Sequence, residues 1–176
     1  MTTQLFNDVG DFHEKFDLPF VRNFPIDNPD GSTTYGDDAP AGPIKRSAKK
    51  LNELLEFRTK FLDEELDEFK KGIAEGDIAQ QADALVDLVY VALGTAHMLG
   101  LPWDQLWDDV QRANMTKERA AADGSNSKRG SDLDVIKPAG WVGPDTVGIL
   151  LTHGFTVITT AYEDPDNHTS TEGVSQ

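Results

Sequence analysis

Apolar residues recur along most of this chain at intervals of three and four positions, which is the spacing of a helix that buries one face. The pattern predicts four main helices, over residues 3–17, 47–74, 78–99 and 103–119. A shorter helix is expected over 144–153, with Pro144 at the favoured first position and Gly154 after its end. The predicted fold class is therefore all-α, a helical bundle.

Two stretches rich in proline, glycine and serine interrupt the helical pattern and are predicted to be irregular loops, at residues 23–43 and 120–140. Residues 155–162 have the β-branched content of a strand but no obvious partner strand. The polar sequence that follows predicts disorder, because it offers too little apolar surface to pack. We therefore expect one domain over residues 1–154, with an irregular N-terminal loop, and a partly disordered C-terminal extension over 155–176.

Composition narrows the classes of protein to which the chain can belong. Its 176 residues suit a single domain, and they carry a net charge of -15 from 31 acidic and 16 basic residues. A chain this acidic has no basic excess to displace the counterions of a nucleic acid, so we expect no nucleic-acid partner. We expect no membrane partner and a cytoplasmic location, since no segment has the roughly 20 apolar residues of a membrane span and no signal peptide is recognisable. The absence of cysteine excludes thiolate chemistry and leaves oxygen or histidine ligands for metals.

Acidic side chains occupy positions in the second predicted helix where the apolar stripe predicts an apolar residue such as leucine. At about 100° per residue, Glu65 falls inside the stripe, Glu68 falls at its edge and Glu64 falls just outside it. Asp63 and Asp67 point to the opposite side and are interpreted as ordinary solvated charges. A carboxylate on a buried stripe is costly unless it is paired, protonated or bound to a metal ion.

The third predicted helix shows the same anomaly. It is apolar nearly all round, yet Asp83 and Asp87 share one of its faces, so we do not expect either carboxylate simply to point to water. One interpretation is a buried salt bridge between one of these aspartates and Arg58, which also lies in the stripe of the second helix. Four misplaced carboxylates against one cation favour instead a divalent metal between antiparallel helices. Oxygen ligands select Mg²⁺ or Mn²⁺, and the candidate ligands are Glu65, Glu68, Asp83 and Asp87.

The helix predicted over 103–119 ends in polar residues. Asn114 and Lys117 follow its apolar stripe on the same face, and a lysine and an amide near a metal cluster suit the oxygens of a phosphate chain. The alternative is a C-terminal lysine that is favoured by the helix dipole alone. The four histidines show no ligand spacing and are interpreted as incidental, and neither a P-loop nor a dinucleotide-binding motif is present in the sequence.

The pair Glu65-x-x-Glu68, followed by a helix that reads ADALVDLVYVALGTA, resembles the ExxE and ExxD signature of the MazG-like all-α nucleoside triphosphate pyrophosphohydrolases. The resemblance is to the phage-type branch of this family, and within it to cyanophage MazZ-type enzymes that act on dGTP. It extends over four further segments: residues 11–19, 58–69, 99–117 and 135–150. One position departs from the signature, because the glutamate of ExxD is Ala84 or Gln80, so that the two aspartates of this helix together would supply its ligands.

This resemblance implies an oligomeric MazG-like helical bundle that hydrolyses a nucleoside triphosphate between the α- and β-phosphates, giving the monophosphate and pyrophosphate. The implied cofactors are two or more Mg²⁺ or Mn²⁺ ions per site, and Glu64 or Glu65 would accept the proton of the attacking water. The residues that would hold phosphate oxygens are Arg58, Asn114, Lys117 and the loop residue Lys137, with Lys128 and Arg129 as alternatives in the loop. The implied substrate is dGTP ahead of other deoxynucleotides. The implied partner is another copy of the chain, in a dimer or tetramer, and a phage origin would place the protein in the host cytoplasm.

Two other functions stay open on the sequence alone. The acidic helices could serve a non-catalytic adaptor or regulator that binds a basic partner. A phosphoribosyl-ATP pyrophosphohydrolase would use the same fold and the same metal chemistry on a different substrate. Release of pyrophosphate from a panel of nucleotides separates the adaptor from the two enzymes.

Overall fold

A computed structural model describes residues 2–20, 26–27, 33–34 and 48–155 of the chain. Most of these residues are helical, and the helices are α1 (Thr2–Lys15), α2 (Ala48–Glu75), α3 (Ile78–Met98), α4 (Trp103–Met115) and α5 (Thr146–Thr152). Two-residue strands form two antiparallel pairs, β1 (Ile26–Asp27) with β2 (Thr33–Thr34) and β3 (Glu118–Arg119) with β4 (Val135–Ile136). The all-α class is therefore confirmed. Within the described ranges, none of the helices has the length and apolar character that a membrane crossing requires.

The four main helices begin and end within a few residues of their predicted bounds, except at the end of α4. This helix was expected to reach residue 119 but ends at Met115. The cause is Thr116, whose side-chain hydroxyl donates a hydrogen bond to the backbone carbonyl of Ala113 at 2.8 Å and turns the chain. Lys117 therefore lies in the turn between α4 and β3 rather than on a helix face.

The segments predicted to be irregular contain three of the four short strands, whereas β3 lies at the end of the stretch 103–119 that was predicted to be helical. β1 and β2 lie within the predicted loop 23–43, and β4 lies within the predicted loop 120–140. The short helix α5 begins after Pro144, because the carboxylate of Asp145 accepts a hydrogen bond from the backbone N–H of Gly148 at 2.9 Å and caps the helix. The strand-like stretch and the polar tail expected after residue 155 lie outside the described residues, as does most of the loop 23–43.

α2 and α3 form an antiparallel hairpin that positions the acidic residues. Gly76 ends α2 with a φ of 68°, a conformation that glycine adopts without strain, and Asp77 caps α3 by accepting hydrogen bonds from two backbone N–H groups of its first turn. Beside the turn, the side-chain amide of Gln81 donates to the carbonyl of Gly72 at 3.0 Å. Because the two helices run antiparallel from this turn, the acidic positions in the second half of α2 lie opposite those in the first half of α3.

α1 packs across the C-terminal half of α3 and completes a small core. Its Val9 is 1% exposed, and the ring of Phe6 lies 5.6 Å from that of His97 in α3 and 6.2 Å from that of Trp103 at the start of α4. The other buried apolar side chains are mostly small: Leu54, Ala84, Leu93, Ala96, Met98, Ala113 and Ala120. The N-terminal half of α3 is covered less well within the described chain, and its Val86 is 64% exposed.

Candidate functional site

Glu65 of α2 lies near four other carboxylates of α2 and α3. Burial raises the pKa of Glu65, and the negative charges of Asp87, Glu68, Glu64 and Asp83 raise it further, in that order. A like charge has this effect when it lies within several ångströms of the titrating group. The five residues therefore lie near one another, and we call them the carboxylate cluster.

Glu65 is the half-buried member of the carboxylate cluster, and the other four side chains are exposed. Partial burial agrees with the place of Glu65 in the apolar stripe of α2. The expectation that Asp83 and Asp87 would avoid water was wrong for the described chain. No described element covers this part of α3, whose Leu85 and Val86 are 47% and 64% exposed.

The chemistry of the carboxylate cluster suits a hard divalent cation. None of its members forms an ion pair with a lysine or arginine in the described part of the chain. One turn before Asp83, the side-chain oxygen of Gln80 is buried and receives no hydrogen bond from the described residues, which adds an oxygen without a partner to the same helix. Carboxylate and amide oxygens are the donors that Mg²⁺ and Mn²⁺ prefer over softer ligands.

The carboxylates nevertheless do not converge on a single point. Among the described residues, no three acidic or histidine side chains lie close enough together to hold a metal ion in the arrangement that the structure shows. Mutual repulsion, which contributes to the raised pKa of Glu65, favours this separation. Exposed acidic side chains change rotamer at little cost, so a cation would have to draw them inward.

Arg58 lies on α2 with the carboxylate cluster but makes a different contact. Its Nε donates a hydrogen bond to Oγ1 of Thr95 at 3.0 Å, and its Nη2 donates to the backbone carbonyl of Val91 at 2.8 Å. The side chain is buried, and burial lowers the pKa of its guanidinium. It pairs with neither Asp83 nor Asp87, so the salt bridge considered from the sequence is wrong. Two of its nitrogens are engaged with α3.

The two lysines expected to hold phosphate oxygens lie together. The ammonium groups of Lys117 and Lys137 are 5.6 and 4.9 Å from the ring centroid of Trp141, whose indole N–H donates to the carbonyl of Ala113 at 2.9 Å. The side chain of Asn114 is exposed beside them. Its backbone carbonyl accepts a hydrogen bond from the backbone N–H of Lys117 at 3.1 Å. Neither ammonium group has an ion-pair partner within the described residues. The sequence analysis missed Trp141, although a tryptophan in a largely polar loop was an available signal.

The described contacts do not join this pair of lysines to the carboxylate cluster. Arg129, one of the alternative loop residues, is engaged within its own loop, where its guanidinium pairs with the carboxylate of Asp134 at 2.8 Å. The predicted site residues therefore fall into three groups in the structure. These are the carboxylate cluster, the contact of Arg58 with α3, and the group around Trp141.

Comparison with known protein families finds a similarity over the acidic hairpin. A family model described as phosphoribosyl-ATP pyrophosphohydrolase (PRA-PH) matches residues 36–114, a little under half of the chain. The matched range contains α2, α3 and the whole carboxylate cluster. The match supports a nucleotide pyrophosphohydrolase activity in general. Residues 135–150, part of the resemblance to phage-type enzymes, lie outside it, and no curated protein matches the chain.

Replacing the central carboxylate should stabilise the metal-free protein. The pKa of Glu65 is raised above 4.5 in the folded chain, so the folded state holds this proton more tightly than the unfolded state does. The free energy of unfolding therefore falls as the pH rises from 4.5 through the raised pKa, and Glu65→Gln should remove that loss. We expect a gain of at most about 1 kcal/mol at pH 7, because the group is partly solvated.

Urea unfolding at pH 4 and pH 7, with EDTA present, measures this effect. Asp63→Asn is the matched control, since Asp63 is exposed on the same helix outside the carboxylate cluster. A Glu65→Gln variant that is no more stable than the native protein at pH 7, or a control with an equal gain, would contradict the prediction.

Proposed function

We propose that this protein hydrolyses a nucleoside triphosphate between its α- and β-phosphates, releasing the monophosphate and pyrophosphate, with dGTP as the first candidate substrate. The observation that carries the proposal is the carboxylate cluster on two antiparallel helices inside the PRA-PH match. In that reaction, water attacks the α-phosphorus, the bond to the bridging oxygen breaks, and pyrophosphate leaves with that oxygen.

The candidate ligands for two or more Mg²⁺ or Mn²⁺ ions are Glu65, Glu68, Asp83 and Asp87. When bound, such ions neutralise the phosphate chain and make the attacking water more acidic. The proton of that water would pass to Glu64 or Glu65, which adjoin each other on α2 at the centre of the negative charge. Each helix thus contributes two ligands, and the base lies among them.

The group around Trp141 supports a role in holding the substrate. Lys117 and Lys137 are two cations without acidic partners among the described residues, in a chain whose net charge is -15. Phosphate oxygens are natural partners for such ammonium groups, and Asn114 adds an amide beside them. We assign Arg58 instead to holding α3 against α2, because two of its nitrogens already donate to α3.

Phosphoribosyl-ATP is the second candidate substrate, because the matching family is described by its hydrolysis. The two candidates share the bond that is cleaved and the need for a divalent cation, and they differ in what lies beyond the phosphates. The preference for dGTP depends on the resemblance to phage-type enzymes, which extends beyond the matched segment.

The substrate is decided by pyrophosphate release from equal concentrations of dGTP, dATP, dCTP, dTTP and phosphoribosyl-ATP, with Mg²⁺ or Mn²⁺. We expect dGTP to have the highest kcat/KM, because donors and acceptors that match guanine leave buried polar groups unpaired when another base binds. A preference for phosphoribosyl-ATP would support the second candidate. A preference for a pyrimidine would overturn the guanine assignment alone, and no release from any of them would favour the non-catalytic adaptor.

Neutralising a candidate ligand should remove both turnover and the response to metal. Glu68→Gln and Asp87→Asn preserve side-chain shape, so we expect kcat to fall at least about 100-fold while the fold persists. Binding to the native state raises Tm, so Mg²⁺ or Mn²⁺ should raise the Tm of the native protein more than that of either variant. Asp63→Asn serves as the control. Full turnover in either variant with metal still required would break the ligand assignment, and indifference of both activity and Tm to EDTA would reject the metal.

We also propose that a second copy of the chain covers the open face of α3, in a dimer or a tetramer. A groove of about 290 Å³ between α1 and α3 has an almost entirely apolar lining that includes Leu85, Val86 and Val89. Val86 lies between Asp83 and Asp87 in the sequence, so a partner seated there would also shield the carboxylate cluster from water. A helix that is apolar on nearly all sides is typical of the interior of a bundle.

Sedimentation equilibrium tests this assembly. We expect a dimer or larger for the native protein and a monomer for Val86→Glu, because the new charge would be buried at the interface. Leu133→Glu is the control, since Leu133 is 84% exposed in the loop between β3 and β4. A monomeric native protein, or dissociation by the control alone, would contradict the proposal.

A further inference from the structure

Three basic side chains meet where α1, α2 and α3 come together. The imidazole of His13 in α1 is 5% exposed and lies edge-on to that of His97 in α3, with ring centroids 5.2 Å apart. Its Nδ1 is buried and has no hydrogen-bond partner within the described part of the chain. The third member is the buried guanidinium of Arg58 in α2. We call these three side chains the basic seam.

Gly94 shows how closely the members of the basic seam approach one another. A Cβ atom at this position of α3 would lie 2.8 Å from Nε2 of His13 and 3.1 Å from Nη2 of Arg58. The imidazole and the guanidinium therefore reach the same point on the backbone of α3. They leave no room there for a bulkier residue.

The charges around His13 do not favour a second cation. From α2 it faces Arg58, and from α3 it faces His97. The carboxylates of Glu14 in α1 and of Asp17 just after α1 line a pocket of about 210 Å³ together with both histidines, but their side chains are exposed. A proton on His13 would thus place a positive charge in a buried position beside a fixed guanidinium.

α1 is the helix that can separate from the hairpin. Arg58 is fastened to α3 by two hydrogen bonds, and Gln81 holds the two helices together at the other end. In contrast, no hydrogen bond joins α1 to α2 or α3 within the described residues. Side-chain packing alone holds α1 there, through Val9 and through the ring of Phe6. Contacts of this kind can open locally while the hairpin stays folded.

We propose that His13 is a proton-operated latch, which keeps α1 docked on α3 while its imidazole is neutral and releases α1 when the imidazole takes up a proton. Release would divide the apolar groove, because α1 contributes Leu5 and Val9 to it while α3 contributes Leu85 and Val86. Acid would therefore expose the apolar side of α3 against which α1 packs. The latch itself does not depend on the proposed function of the chain.

The direction of the pH effect follows from burial. The pKa of His13 is lowered from 6.5 to about 4 in the docked form, first by burial, then by His97 and then by Arg58. The undocked form regains the ordinary pKa and so binds the proton more tightly. Docking is fully stable above pH 6.5, and between pH 6.5 and 4 the opening equilibrium constant of α1 rises by up to about tenfold per pH unit.

Hydrogen–deuterium exchange of the full chain from pH 7.5 to 4.5, corrected for the intrinsic pH dependence of exchange, tests the latch. We expect the protection of α1 amides to fall by nearly tenfold per pH unit below about pH 6, while amides of α2 and α3 keep their protection. His13→Gln should weaken this dependence, since glutamine is similar in size and does not titrate in this range, and it should leave only the contribution of His97, whose pKa burial also lowers. His153→Gln is the control, because His153 is exposed at the end of α5 and should behave as the native protein does.

Three outcomes would overturn the latch. They are α1 protection that is unchanged down to pH 4.5, simultaneous loss of protection in α1 and the hairpin, and an unchanged pH dependence in His13→Gln. If His13→Gln does not fold, NMR titration of the His13 ring in the native protein decides the matter. A midpoint near 4 that coincides with changes in the α1 amides supports the latch, and a midpoint near 6.5 contradicts it.

Discussion

The register of α2 against α3 is the constraint on which the site depends. It is fixed at one end by the hydrogen bond of Gln81 to Gly72 and at the other by the two hydrogen bonds of Arg58 to α3. Acidic residues that are about 20 positions apart in the sequence therefore lie on facing parts of the two antiparallel helices, between these hydrogen bonds. If one helix were shifted by one residue in sequence, each of its side chains would point about 100° away from its present direction. The acidic residues of the two helices would then no longer face one another. Arg58 therefore helps to position the carboxylates, although it does not contact them.

The hairpin maintains a charge arrangement that opposes its own stability. The pKa of Glu65 is raised partly because four other carboxylates lie around it, and no described lysine or arginine offsets them. A sequence selected for stability alone would place leucine at this position of the stripe. Local departures of this kind are expected where a site has been kept for function. The PRA-PH match over the same hairpin agrees with that interpretation.

Helical periodicity predicted the elements well, because each helix has its own apolar stripe, but it could not predict contacts between distant segments. It identified Glu65 from its position in the stripe. It failed for the exposure of Asp83 and Asp87, since a helix pattern shows which face is apolar and not whether another element covers it. His13 and His97 were interpreted as incidental because they are far apart in sequence, and only the crossing of α1 over α3 brings their rings to 5.2 Å. The end of α4 depended on one side-chain hydrogen bond, that of Thr116, which the apolar pattern does not report.

The distribution of unpaired charge supports a ligand that carries both signs. In a chain with 31 acidic and 16 basic residues, Lys117 and Lys137 lie together and have no ion-pair partner among the described residues. The carboxylate cluster likewise lacks a cation within that part of the chain. Neither group neutralises the other in the described contacts. A triphosphate with divalent cations supplies negative oxygens to the lysines and positive charge to the carboxylates, so one ligand satisfies both groups. This complementarity is a physical reason, independent of the family match, to regard the two groups as parts of one function.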